Sequence, residues 1–302
     1  MNHIPVLLNE VIKGLDIKKG DVVFDATLGS GGHSAEMCRI VGKEGKVIGI
    51  DADADAIAVT DKRFSSDSDL LCGHIFKCEN FRNLDLIFDS VGIKSADKFL
   101  FDLGTRIETF ENSGRGFTFQ KNEPLVMTFS KEPLADSFTA EEILNEWDED
   151  NIASVIYGYS GEQFAKNIAR NIVLNRKKER IKTTFQLVDI IALSVPAKYK
   201  NSRIHFATRT FQALRIAVND EINALRQGIE KAFCRLKING RMAVISFHSI
   251  EDRSVKRFFM QKVTNGEGII ITKKPIEARI EEKRENPRSR SAKLRIIQKT
   301  NQ

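Results

Sequence analysis

Val22-Val-Phe-Asp-Ala-Thr-Leu-Gly-Ser-Gly-Gly-His33 is the stretch that decides the fold. Its apolar start predicts a short buried strand, its glycines predict a loop, and a helical stretch follows through Ile40. A second apolar run, Lys46-Val-Ile-Gly-Ile50, ends at Asp51, and a helix is expected over about 55–63. The order strand, glycine loop, helix, strand opens a doubly wound parallel sheet, so an α/β fold is predicted.

The same stretch indicates a nucleoside cofactor. Glycines at 29, 31 and 32 let the backbone approach a ligand that a Cβ would exclude. Asp51 follows Gly31 by twenty positions, where an acid can accept hydrogen bonds from both ribose hydroxyls of an adenosine cofactor. NAD and S-adenosylmethionine both satisfy this logic, but the G-x-G-x-x-G pattern fails at Ser34 and a Walker lysine is absent. An ordinary tight turn with a solvated Asp51 is the alternative.

Composition limits the class of protein. The 302 residues are 41% hydrophobic, enough for a sizeable core, and the net charge of +6 permits a polyanionic partner without demonstrating one. A run of 18 apolar residues and a signal peptide are both lacking, so no membrane partner is expected. The cysteines form no C-x-x-C pair, so neither a metal site nor a disulfide framework is predicted, and a reduced, cytoplasmic protein fits best. They are Cys38, Cys72, Cys78 and Cys234.

The middle of the chain changes from sheet-like to helical. Residues 1–105 and 206–302 are predicted to form one discontinuous core, and 106–205 a helical insertion that serves substrate recognition. After the insertion one long helix is expected, because apolar residues recur at helical spacing. They are Phe211, Leu214, Val218, Ile222, Leu225, Ile229, Phe233 and Leu236.

Local signals place further elements. Thr139-Ala-Glu-Glu142 and Ser249-Ile-Glu-Asp252 are each predicted to be the capping box of a helix. Asn239-Gly240 predicts a turn. Additional strands are expected at 99–101, 242–247, 269–272 and 293–297.

Longer motifs are distributed along nearly the whole chain. They are His3–Glu10, Asp25–Ser34, Asp102–Gly104, Arg115–Phe119, Ala207–Ile216, Ser246–Arg253 and Asn286–Arg295. In these motifs the chain resembles the bacterial ribosomal RNA small-subunit methyltransferase H (MraW-like) family, the N4-cytosine methyltransferases of 16S rRNA. The resemblance implies a class I (Rossmann-like) S-adenosylmethionine methyltransferase core with a helical insertion, and a P-site cytidine of an assembled or nearly assembled small ribosomal subunit as target.

The resemblance also implies a set of cofactor contacts. Phe81, in Glu79-Asn-Phe81, stands where the family has a Phe near the adenine, although taken alone it would most often be a core aromatic. Thr109 stands where the family has a contacting Gln. The full set is Gly31, Gly32, His33, Asp51, Phe81, Asp102 and Thr109.

One loop departs from the family's pattern. Asp102-Leu-Gly104 continues as Thr105-Arg-Ile-Glu-Thr-Phe110 instead of V-S-S-x-Q-L. The family's P-L-D-M-R-M-D becomes Pro124-Leu-Val-Met-Thr-Phe-Ser130, which loses two acids and an arginine, and Phe206 replaces a Pro. We therefore expect nearly normal cofactor binding with slow methylation.

The chemistry selects further candidates. The exocyclic amine of cytosine is a poor nucleophile, so it must be positioned and its hydrogen bonds accepted. Asp102 is the first choice for the acceptor, with a role as cofactor contact only as the alternative. His248 could orient the base or accept a proton, or it could be structural. Arginines expected to hold flanking phosphates are Arg209, Arg215, Arg288, Arg290 and Arg295, and Arg215 could equally be an ion-pair partner.

Three functions remain open at this point. The first is an active RNA N4-cytosine methyltransferase. The second is a weakened or inactive homologue that acts as a ribosome-binding or assembly factor, and the third is a methyltransferase for another nucleic-acid site. A homodimer is among the assemblies that the sequence leaves open.

Overall fold

The computed structural model describes residues 4–104, 113–129 and 138–300. The chain divides into two compact units: unit 1 is Met1–Thr105 with Ile222–Gln302, and unit 2 is Arg106–Glu221. The second boundary, expected between 205 and 206, thus lies between 221 and 222. None of the helices in the described ranges is long and apolar enough to cross a membrane.

Unit 1 contains a seven-stranded sheet in the order β3-β2-β1-β4-β5-β7-β6. Neighbours from β3 to β5 are parallel, whereas β7 runs antiparallel to both β5 and β6. Because β1 lies between β2 and β4, the strand order reverses there, which is where α/β sheets bind ligands at their carboxyl edge. The strands are β1 Val22–Asp25, β2 Lys46–Asp51, β3 Gly73–Cys78, β4 Ala96–Asp102, β5 Leu236–Ser246, β6 Gly268–Ile270 and β7 Lys293–Lys299.

The α/β fold predicted from the sequence is confirmed. The described helices of unit 1 cover both faces of the sheet, and alternate strand residues enter two separate apolar clusters: Val23 and Leu100 one, Phe24 and Phe99 the other. The helices of the described chain are α1 Leu8–Leu15, α2 Gly32–Val41, α3 Ala54–Ser66, α4 Leu84–Ser90, α5 Ala140–Glu146, α6 Glu149–Ser160, α7 Ala165–Arg176, α8 Thr184–Ser194, α9 Ala197–Lys200, α10 Thr208–Val218, α11 Glu221–Arg235, α12 Ser249–Thr264 and α13 Ile280–Glu285.

Unit 2 has a helical core of its own, formed by α5 to α8 and α10. The expected capping box at the start of α5 is present, with the Thr139 hydroxyl and the Glu142 carboxylate each accepting the other's backbone N–H. Ile168 and Ile172, four residues apart on one face of α7, are both fully buried.

The single long helix expected over 211–236 is wrong. The structure has two helices there, and the chain breaks at Asn219-Asp220, where Asp220 has a φ of +49°. At the break, the side-chain amide of Asn219 bonds to a distant segment of backbone: it donates to Met127 O and accepts the Phe129 N–H. The apolar spacing continues across the break because each helix buries its stripe in a different core.

Two smaller expectations are also corrected. Asn239-Gly240 is not a turn but lies inside β5, where Asn239 takes a positive φ of 64° and the pairing with β4 shifts register. Cys38 and Cys72 form a disulfide, although no disulfide was predicted. Cys38 lies on α2 and Cys72 directly precedes β3, so their proximity arises from the fold and not from a local spacing.

Candidate functional site

The glycine loop joins β1 to α2 at the carboxyl edge of the sheet. Gly29 and Gly31 have positive φ angles of 53° and 71°. A Cβ on Gly31 would come 2.5 Å from the Thr60 methyl carbon, and one on Gly32 would collide with the Pro5 ring. A Cβ on Gly29 would face open space, with its nearest neighbour 3.9 Å away. Packing therefore requires glycine at 31 and 32, and leaves room beside 29.

Asp51 ends β2 and holds this loop. Its Oδ2 accepts the Gly29 N–H at 2.8 Å, and its Oδ1 accepts the Asp53 N–H at 2.9 Å. The residue is half-buried. A carboxylate can accept about four hydrogen bonds, so an acid at this position is a suitable type of acceptor for ligand hydroxyls.

A chain of hydrogen bonds joins the ends of β1 and β4. Asp25 is 1% exposed; its carboxylate accepts the Ser34 hydroxyl at 2.6 Å and the Thr27 N–H at 3.1 Å. The Thr27 hydroxyl oxygen in turn accepts the Asp102 N–H at 2.6 Å. Burial raises the pKa of Asp25 to about 6, against the hydrogen bonds from Ser34 and Thr27, and the nearby charge of Asp51 adds to the rise.

Asp102 is the last residue of β4. Its side chain is 16% exposed, and its Oδ2 lies 3.7 Å from Nε2 of the buried His33. Burial raises the pKa of Asp102 to about 7; the Gly104 N–H and the Arg288 charge oppose the rise, and the charge of Asp25 adds to it. The structure thus brings Asp102 and His33 together beside the glycine loop.

Phe81 begins a short 3-10 turn after β3. Its ring packs edge-on against Phe101, with centroids 5.8 Å apart, and a Cβ on Gly228 would come within 2.7 Å of it. These contacts fit the core-aromatic alternative. A contact with an adenine stays a prediction.

His248 caps α12 at the end of β5. Its Nδ1 accepts the Glu251 N–H at 3.4 Å, Nε2 lies 3.0 Å from Glu251 Oε1, and Glu251 Oε2 accepts the backbone N–H groups of Phe247 and His248. The capping box therefore starts at His248, one residue before the predicted Ser249, because the imidazole supplies the acceptor. This geometry fits the structural alternative for His248.

Two of the five predicted phosphate-binding arginines are held by carboxylates. Arg215 contacts both oxygens of Glu221, at 2.8 and 3.1 Å. Arg295 contacts both oxygens of Asp252, at 2.6 and 3.2 Å, and is only 9% exposed. Such bidentate pairs fix the guanidinium geometrically and leave it less able to reach a phosphate.

The other three arginines have different surroundings. Arg209 donates to the Tyr199 hydroxyl at 3.0 Å, and its side chain is 39% exposed. Arg288 and Arg290 lie in the 3-10 turn before β7; Arg290 is exposed and donates to Lys283 O at 3.2 Å. Arg288 is close enough to lower the pKa of Asp102, so it lies on the side of the glycine loop and not remote from it.

Sequence reasoning missed several members of this site. It also named Thr109, which lies outside the described residues. Asp25, Thr27, Ser34 and Glu251 were not predicted as site residues, although Asp25 ends an apolar strand and its partners follow two and nine positions later. Polar side chains at that spacing after a buried strand are a signal that could have found them.

Comparisons with known proteins agree with the motifs. The model of the family described as the MraW methylase family matches residues 1–300. Ribosomal RNA small subunit methyltransferase H of Clostridium botulinum (strain Loch Maree / Type A3) is 40% identical over 312 residues, with 98% of each chain covered. The protein of the same name from Halothermothrix orenii is 39% identical, with 99% of each chain covered. A crystal structure of an rRNA methylase from Streptococcus thermophilus covers 100% of this chain and 99% of its own, with 12% identity and a TM-score of 0.43.

A match over nearly the whole chain, at this identity, confirms the family that the motifs indicated. The chain belongs to the MraW methylase family, a family of S-adenosylmethionine-dependent methyltransferases.

Proposed function

We propose that this protein transfers a methyl group from S-adenosylmethionine to the N4 amine of a P-site cytidine in 16S rRNA of the small ribosomal subunit, in the cytoplasm. The observation that carries the proposal is the placement of Asp102. A buried carboxyl group stands at the switch point of the sheet, beside the glycine loop, in a chain that matches the family over residues 1–300.

The residues present fit the cofactor. The missing side chain of Gly29 leaves open space, the Asp51 carboxylate stands beside it as a hydrogen-bond acceptor, and the backbone N–H groups at the start of α2 suit a carboxylate end. Gly31, Gly32, His33 and Asp51 would hold the cofactor, with Phe81 near its base. Bound S-adenosylmethionine supplies an electrophilic methyl group on a positive sulfonium.

Asp102 has the central chemical role in this proposal. An ionised Asp102 accepts an N–H of the target amine, holds the nitrogen lone pair toward the methyl group, and takes the proton released as the carbon–nitrogen bond forms. Its pKa of about 7 suits this exchange near neutral pH, because the carboxylate is then both available and basic enough to accept a proton.

In this scheme His33 and His248 are positioning residues. His33 packs against the Asp102 carboxyl group and limits its rotation. His248 fixes the start of α12 through Glu251, beside the same sheet edge, where it can also orient the base. Arg288 and Arg290 contact flanking phosphates, since both lie in the 3-10 turn before β7 and the Arg288 charge is close enough to Asp102 to lower its pKa.

Nucleoside mass spectrometry of 16S rRNA, from cells with and without this protein, tests the proposal. N4-methylcytidine should be lost in its absence and restored by the purified protein acting on small subunits. Naked rRNA and DNA, assayed in parallel, should be poor substrates. Methylation of DNA, or of another rRNA atom, would contradict the proposed target while leaving the cofactor assignment in place.

The departures at 105–110 and 126–130 favour a second candidate, a homologue with weak methylation that binds the ribosome. Part of this loop is described: Arg115 donates to the Thr128 and Phe129 carbonyls, which ties 113–129 together without an acid at 126. Single-turnover methylation measured beside cofactor affinity separates the two candidates. The weakened homologue would bind cofactor normally and turn over about a hundredfold more slowly than a family member with the usual loop.

A further inference from the structure

Helix α12 exposes a face of basic residues. Its buried positions are Glu251, Val255 and Phe259, four residues apart. Arg253, Lys256 and Arg257 lie on the opposite side and are all exposed. The spacing of three and four residues brings their side chains onto one surface of the helix.

The acids of α12 do not neutralise this face. Glu251 is engaged in the cap, and Asp252 holds Arg295 in a bidentate pair with Lys293 3.8 Å away. Both carboxyl side chains are at most 14% exposed. Across the described ranges, no carboxylate lies within ion-pair distance of Arg253, Lys256 or Arg257.

A second element extends the charge. Lys256 lines a shallow cleft together with Met260, Thr272 and Lys273, which places the residues after β6 beside the helix. Lys273 and Lys274 are exposed, and they too have no carboxylate partner among the described residues. We name these five residues the basic face: Arg253, Lys256, Arg257, Lys273 and Lys274.

On helix α11, in the same unit, two partly exposed cations are each paired with a carboxylate. Lys231 pairs with Asp85 at 2.8 Å and Arg235 with Asp89 at 2.7 Å. The basic face differs from these pairs in that five exposed cations lie together on α12 and the residues after β6 with no carboxylate within ion-pair distance in the described chain.

The basic face starts at the candidate site. β5 pairs with β4 so that Ile245 lies opposite Asp102, and α12 begins three residues after β5 ends. At a rise of about 1.5 Å per residue, Arg253 lies about 6 Å and Arg257 about 12 Å along the axis from Ser249. The charges thus lead away from the sheet edge where the target base would be held.

We propose that the basic face binds backbone phosphates of the rRNA that flanks the target nucleotide. The inference rests on the proposed function and adds a surface separate from Arg288 and Arg290. RNA is the partner because the face is purely cationic, exposed, and continuous with the edge that holds Asp102, so a strand entering the site passes over it.

The test removes three charges from the basic face with Lys256→Gln, Arg257→Gln and Lys273→Gln. Binding to purified small ribosomal subunits and to naked 16S rRNA is measured over a range of salt. We expect affinity to fall by about tenfold or more, and the slope of log affinity against log salt to decrease by about 2 to 3. Calorimetric binding of S-adenosylmethionine should be unchanged.

A matched control removes the same charge elsewhere. Lys19, Lys43 and Lys94 are exposed and precede β1, β2 and β4, so they lie at the opposite, amino edge of the sheet. Their triple change to Gln should leave both the affinity and the salt slope near the unmodified values.

The outcomes separate this inference from the proposed function. If the unmodified protein binds neither subunits nor rRNA, the proposed function fails. If it binds and methylates, but the basic-face variant behaves like the control, only the present inference is overturned. A variant that loses subunit binding yet keeps its affinity and salt slope on naked rRNA would assign the face to an acidic ribosomal protein, and would also overturn it.

Discussion

Two acids at the same edge of the sheet, Asp51 and Asp102, have different surroundings. Asp51 ends β2 half-buried, with each oxygen accepting a backbone N–H from an adjoining loop. Asp102 ends β4 with a nearly enclosed side chain, one long contact to the Gly104 N–H at 3.4 Å, and a pKa raised to about 7. Equivalent positions on the two strands that flank β1 thus have surroundings that suit the two proposed roles: a fixed acceptor for a ligand, and a carboxyl group that exchanges a proton.

The supports behind the two acids explain the difference. The Asp51 carboxylate accepts a hydrogen bond from Gly29 of the glycine loop, and a Cβ at Gly29 would face open space. Asp102 is backed by Thr27 and the fully buried Asp25, whose negative charge disfavours a second one nearby. The contrast predicts that substitutions at the β4 end change rate and pH dependence, whereas those at the β2 end change cofactor affinity.

The largest effect is expected for Asp102→Asn. The amide cannot take the amine proton, so methylation should fall by about a hundredfold or more, while cofactor affinity measured by calorimetry changes only a few-fold. In the unmodified protein kcat/KM should rise with pH through about 7, because protonated Asp102 is inactive, and this dependence should be absent from the variant's residual rate. A large loss of cofactor affinity with little loss of rate would instead assign Asp102 to cofactor contact only.

Asp25→Asn should change the pH dependence of stability. The folded-state pKa of Asp25 is about 6 against an ordinary 3.8, so its protonation favours the fold. The contribution is complete below pH about 4 and is lost as pH rises to about 6, a change of about 3 kcal/mol in the free energy of unfolding. Urea unfolding from pH 4 to 6.5 should show a decline that is about 3 kcal/mol larger in the unmodified protein than in Asp25→Asn, where Asp102, with its pKa raised to about 7, still contributes; parallel curves would contradict it.

Asp51→Ala should act on binding. It removes charged hydrogen bonds worth about 1.5–3 kcal/mol, so the affinity for S-adenosylmethionine should fall about tenfold to a hundredfold, with most of the rate recovered at saturating cofactor. Asp53→Ala is the control, because the Asp53 side chain caps α3 by accepting the Asp55 N–H. Equal losses in both variants would remove the distinction drawn for Asp51.

The smallest effect is expected for Thr27→Val. The change leaves the Asp102 N–H without its acceptor, which should lower the free energy of unfolding by about 1 to 2 kcal/mol and slow methylation several-fold. Thr27→Ser keeps the hydroxyl and should behave nearly as the unmodified protein in both assays. If Val and Ser substitutions give the same stability, the link between the β1 and β4 ends contributes nothing.

Much of the fold could be predicted because its signals are short. Strand, glycine loop and helix over residues 22–41 follow from an apolar run, three glycines and a periodic stretch, all within local reach. The break at Asn219-Asp220 could not, because the apolar spacing crosses it unchanged and the amide of Asn219 bonds to Met127, 92 residues away. In the site, the acids at the strand ends could be predicted. The carboxylates that pair with Arg215 and Arg295 could not.

The sequence by itself determined the α/β class, the glycine loop with Asp51, and the family, since each is encoded in contiguous or regularly spaced residues. Only the tertiary structure decided that Cys38 meets Cys72, that Thr27 supports Asp102 from 75 positions away, and that the acids of α12 turn inward to leave a basic face. The physical reason is that burial and hydrogen-bond partners depend on which elements pack together. The sequence gives the charge of each residue, but the packing of the elements determines which opposite charge lies near it.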